Sequence, residues 1–213
     1  MLKRFRVLMY SHMEGNSGIY FLVSMFFIIG ISAGVFTVKA LGDYQKQELI
    51  SYMRVFFHIL NDTSIDSFAV FKQSFINNLQ TIVLIWILGI TVIGMPLILI
   101  LVSIRGLIVG FTVGFLVEQL GVKGVVFASI SILPQNLLIL PCIIITAVLG
   151  ISFSKMLLRN KIFNNSHVHT SIFKQFILYS SIIISIFTVI VLGCIIEAYV
   201  TPVLMGFFSK NMM

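Results

Sequence analysis

Charge is scarce in this chain. Seven Asp and Glu and fourteen Lys and Arg are spread over 213 residues, so that 10% of the sequence is charged, 59% is hydrophobic and mean hydropathy is +1.10. That leaves too little polar surface to coat a water-soluble globule of this size. Cysteine is nearly missing too. Cys142 and Cys194 both lie inside apolar runs, where a thiol behaves as a small hydrophobe, and no disulfide framework or zinc spacing is visible. There are no paired carboxylates, no Ser, His and Asp constellation and no phosphate-cradling loop, so enzymatic activity is not expected. His167 and His169 resemble a fragment of a metal site, but they sit in a basic stretch without a nearby carboxylate or thiolate and read as solvated. His12 and His58 are isolated, and neither a metal nor a cofactor is expected. A net charge of +7 would point a soluble protein towards nucleic acid. Here the basic residues cluster at the ends of apolar stretches, where they meet anionic headgroups, so the expected partner is the lipid bilayer and not nucleic acid.

What the chain does have is a row of long apolar runs. A helix rises about 1.5 Å per residue and the hydrocarbon layer is about 30 Å thick, so roughly 20 apolar residues suffice to cross it. The pattern predicts one all-α polytopic membrane domain with about five transmembrane helices. Residues 1–18 form a basic segment, interfacial around Leu2 to Met9, and 19–38 are the first span. That span is longer than a signal-peptide apolar region and lacks a small-x-small cleavage site, so it reads as retained. Residues 81–103 are the second span, with Pro96 as a kink; Arg105 marks an interface, and 106–121 are a marginal third span. Residues 122–154 are a fourth span, too long for one crossing and interrupted at Pro134, Gln135 and Asn136, with Pro141 one helical repeat later. A basic loop, 155–175, leads to the fifth span, 176–196, and a tail, 197–213. Lys155, Arg159, Lys161 and Lys174, like Lys3, Arg4 and Arg6, place their segments in the cytoplasm, which five crossings satisfy. A re-entrant hairpin over Gly106 to Leu133 is the disfavoured alternative.

Residues 39–80 are the one long polar segment and face outside in this topology. Leu49, Tyr52, Met53, Phe56, Phe57 and Leu60 repeat at helical spacing after a cap near Asp43. A second helix starts at Asp66 or Ser67, carries Phe68, Phe71 and Phe75 on one side, and runs into the next span. This amphipathic segment lies on lipid or on neighbouring helices, or offers a partner surface at Phe56, Phe57, Phe68 and Phe71. Gly106, Gly110 and Gly114, with Gly121 further on, and Gly30 with Gly34, give helix faces that let two backbones approach, within one chain or in a homo-oligomer. The polar break at Pro134, Gln135 and Asn136 needs hydrogen-bond partners, for which Asn77, Asn78 and Gln80 are candidates, and it would also suit a permeation site. Glu118 lies near an interface and Glu197 ends a span, so no carboxylate is placed at the bilayer centre for coupled transport.

Several runs carry a likeness in order and spacing. Trp86-Ile-Leu-Gly-Ile-Thr-Val-Ile-Gly-Met-Pro96, Arg105-Gly-Leu-Ile-Val-Gly-Phe-Thr-Val-Gly-Phe-Leu-Val117, Leu133-Pro-Gln-Asn-Leu137 with Pro141, and Phe75-Ile-Asn-Asn78 resemble the stage II sporulation protein M family over nearly the whole chain. The resemblance implies a non-enzymatic membrane scaffold of endospore formation, in the septal and engulfing mother-cell membrane. Its implied partners are the peptidoglycan hydrolases called stage II proteins D and P, which it would anchor during engulfment. The runner-up is a small-solute or lipid transporter or channel that uses the interrupted span.

Overall fold

The computed structural model describes residues 16–62, 66–162 and 169–212, all of them in helices or short connections. The basic amino-terminal segment around Lys3, Arg4 and Arg6, with His12, and His167 in the basic loop lie outside the described residues, as do the side chains of Phe56, Phe57, His58 and His169. The helices are α1 (Ser17–Ala40), α2 (Asp43–Asp62), α3 (Ser67–Ile90), α4 (Gly94–Leu120), α5 (Val122–Ile162), α6 (His169–Ile195), a π-helical turn (Ile196–Val200) and α7 (Thr201–Met212). Five of the described helical stretches are long and apolar enough to cross a membrane. The protein is an all-α, multi-pass membrane protein.

Local chemistry sets the boundaries. Asp66 caps α3 by accepting the Phe68 and Ala69 amides at 3.0 and 3.3 Å. Gly121 ends α4 with φ +57, a left-handed conformation that costs glycine little. A Cβ there would meet nothing within 4 Å, so Gly121 is a cap and not the helix-packing residue its spacing indicated. In α4 the packing glycines end about two turns earlier, at Gly114.

The second crossing differs from its sequence reading. The chain turns at Thr91–Ile93, where the Thr91 amide bonds Leu88 O and the Gly94 amide bonds Thr91 O, so α3 is the second span and α4 the third. Arg105 is therefore deep inside α4 and marks no interface. Pro96 falls in the first turn of α4, where its missing N–H has no intrahelical acceptor anyway, and it kinks nothing. Pro96→Ala is expected to leave stability within about 1 kcal/mol of the parent in detergent unfolding. A loss several times larger would contradict this placement.

The expected interruption at Pro134, Gln135 and Asn136 is absent. The 41 residues of α5 are helical throughout, about 60 Å end to end, with both prolines inside. Proline removes a donor, but in lipid there is no water to satisfy the ends of a broken helix, so the helix is retained, and two side chains fold back on carbonyls of the preceding turn. Gln135 Nε2 donates to Ser131 O at 2.7 Å and Asn136 Nδ2 to Ile132 O at 2.9 Å.

α5 is the central helix, touching α1, α3, α4, α6 and α7, and its run from Cys142 to Phe153 supplies much of the core. Ile85, Ile98, Val102 and Ile190 close around it. Phe21, Ile28, Ile100, Leu137 and Ile184 point outward, as a lipid-facing belt requires. At the end near the Thr91 turn, Phe153 stacks on Tyr179 at 4.6 Å, Trp86 Nε1 bonds Ser180 Oγ at 3.1 Å, and Ser154 Oγ donates to Thr91 O at 2.7 Å.

Candidate functional site

Three features bear on function: a glycine seam, a polar chamber and an amphipathic surface. The seam joins α1 to α4, which run parallel. A Cβ on Gly30 would strike Ser103 O, one on Gly34 would strike Leu107 O and the Phe111 amide, and Cβ atoms on Gly106 and Gly110 would strike Phe27 O and Ile31 O. At Gly114 the approach is looser, 3.3 Å from Val35 Cα. Ser103 Oγ donates to both Leu99 O and Phe26 O, the latter across the seam at 3.1 Å. Burial of apolar groups drives helices together weakly in lipid, so this close packing is what holds the pair.

The chamber lies among α3, α4, α5 and the π-helical turn, with a volume of about 190 Å³. Its polar lining is Ser74, Asn77, Asn78, Arg105, Gln135, Asn136 and Glu197. Arg105 reaches from the middle of α4 to α3, donating from Nη2 to Asn77 O at 2.9 Å and from Nε to Thr81 Oγ1 at 3.1 Å, with a second Nη2 contact to Thr81 Oγ1. Glu197 Oε2 accepts the Ser74 hydroxyl at 2.5 Å. Asn78 is 4% exposed; its Nδ2 donates to Ser74 O at 3.0 Å, and its Oδ1 has no partner among the described residues. Gln135 is engaged at both ends, since its Oε1 accepts from Thr201 Oγ1 at 3.0 Å while its amide nitrogen donates to Ser131 O. Among the described residues no three His, Cys, Asp or Glu gather as a metal group.

Asn77 and Asn78 thus share a chamber with Gln135 and Asn136, whereas Gln80 is exposed and does not line it. Sequence reasoning missed Arg105 and Glu197 as intramembrane charges. Their depth follows only from the turn at Thr91–Ile93: once the chain turns there, Arg105 falls near mid-helix. Glu197 lies in the π turn, and such turns often mark functional sites.

The amphipathic surface is at the opposite end of the bundle from the Thr91 turn. α2 exposes Tyr44, Tyr52 and Val55, contacts α7, and is tied to the end of α4 by Lys46 Nζ on Glu118 Oε1 at 2.7 Å. Phe68, in the first turn of α3, is exposed as well. Phe71 is not part of that surface: it packs on the core with its ring 6.0 Å from Phe75, which meets Phe187 edge-on at 5.5 Å.

Comparison with curated proteins returns no match, and comparison with solved structures returns none either. The profile of the stage II sporulation protein M family matches residues 23–202, which takes in the seam, the chamber lining and all or most of each of the five crossings. The chain belongs to the stage II sporulation protein M family and is a sporulation-related, multi-pass membrane protein.

Proposed function

We propose that this protein is a non-enzymatic scaffold of the sporulation septum and engulfing membrane, and that it anchors peptidoglycan hydrolases, the stage II proteins D and P, through the surface built on α2 and Phe68. The carrying observation is that α2 shows bulky apolar side chains, Tyr44, Tyr52 and Val55, outside the bundle while Lys46 and α7 hold its backbone to the membrane domain. An amphipathic helix pinned in this way presents a partner with a preordered apolar stripe. The positive-inside rule puts this end outside, on the side where cell-wall substrates are. The glycine seam is spent inside one chain, so it leaves those residues little part in self-association. The conduit reading loses its premise with the interrupted span.

The test is co-purification from sporulating cells. The double variant Tyr52→Ser with Phe68→Ser is expected to remain inserted and to lose most recovery of the hydrolases, because truncating central aromatic anchors costs about 2 kcal/mol or more each. Undiminished recovery would remove this surface from the account.

A further inference from the structure

The chamber has chemistry that scaffolding does not use. Arg105 and Glu197 carry opposite charges into one small space, yet each is bonded to α3 and they form no ion pair with each other. Arg105 commits Nε and Nη2 to Thr81 and Asn77, leaving Nη1 with no hydrogen-bond partner among the described residues. Glu197 commits Oε2 to Ser74, leaving Oε1. The Asn78 amide nitrogen is fixed on Ser74 O, a group that can only accept, which leaves Oδ1 as a buried acceptor with no partner among the described residues. A buried acceptor left unmatched costs about 1–3 kcal/mol, so the site is poised to take a donor.

The unspent groups of these lining residues are thus a cationic donor from Arg105 and two acceptors, the Glu197 carboxylate and the buried Asn78 Oδ1. A lone cation in this space would be repelled by Arg105, and a lone anion by Glu197. A group bearing both charges satisfies both, and desolvates neither without compensation. At about 30 Å³ per water, 190 Å³ is several waters' worth of space and suits a molecule of glycine or alanine size. We propose that this chamber binds a small zwitterion of the α-amino acid class, its carboxylate on Arg105 and its ammonium between Glu197 and Asn78 Oδ1.

Equilibrium dialysis of the purified full-length protein in detergent against radiolabelled alanine tests this. Saturable binding of one alanine per chain is expected, displaced by glycine but not by N,N,N-trimethylglycine, which has the same charges and no N–H, nor by acetate or methylammonium. Glu197→Gln keeps a partner for Ser74 and is expected to weaken binding about tenfold or more. Absence of saturable binding, or displacement by trimethylglycine as effective as by glycine, overturns the proposal. The competition pattern is read on the unaltered protein, so it stands whether or not the variant folds, and it is independent of hydrolase contacts.

Discussion

Gly34→Val is expected to split the α1 and α4 pair and leave little folded protein. A Cβ at Gly34 meets Leu107 O and the Phe111 amide, both backbone groups of a helix that cannot yield by changing rotamer. Relief requires α1 to move outward along its length, which also breaks the contacts of Gly30, Gly106 and Gly110 and the Ser103 bond to Phe26 O. Overpacking a well-filled core costs about 1–3 kcal/mol when side chains can adjust, so a clash with fixed backbone belongs at or above the top of that range. Gly34→Ala carries the same first clash and should be harmful as well, while Gly18→Ala, with open space around it, should be neutral. Detergent unfolding of the three variants side by side measures the difference, and equal stability of Gly34→Val and Gly18→Ala would refute the seam.

Arg105→Met is expected to cost about 3 kcal/mol. The change removes charge-assisted bonds to Thr81 Oγ1 and Asn77 O, each typically worth about 1.5–3 kcal/mol, and leaves Glu197 without a countercharge in the chamber. Arg105 is only partly buried, and polar contacts in membrane proteins average less than in ideal geometry, which holds the figure at the lower end of their sum. Pairing it with Glu197→Gln should recover part of the loss, because the second change neutralises the charge the first one strands. Additive losses in the double variant would show that the two groups do not feel each other.

The membrane class, the first crossing, the Asp66 cap and the apolar faces could all be read in the sequence, because each depends on a local signal of length or residue type. The Thr91 turn could not. Ile90-Thr-Val-Ile-Gly94 is apolar and β-branched like the helices on either side, and at a membrane boundary no polar cluster is needed to end a span. Arg105, the only charge in that region, drew the boundary to itself, and with it went Pro96 and the depth of the chamber. The error at Pro134 and Pro141 has a different origin. Rules for proline come from water, where a freed carbonyl finds solvent; inside lipid the helix is retained, and Gln135 and Asn136 fold back on it. Which groups share the chamber depends on four segments meeting, and no local pattern encodes that.

The account depends on five crossings with α2 outside and the Thr91 turn inside. Single cysteines at Tyr52 and Ile93, tested with an impermeant maleimide, examine both ends at once, since the native Cys142 and Cys194 are buried and contribute little labelling. Tyr52→Cys is expected to label in intact cells and Ile93→Cys only after the membrane is permeabilised. Labelling of Ile93→Cys from outside, or its silence after permeabilisation, would contradict the topology and with it the proposed scaffold surface.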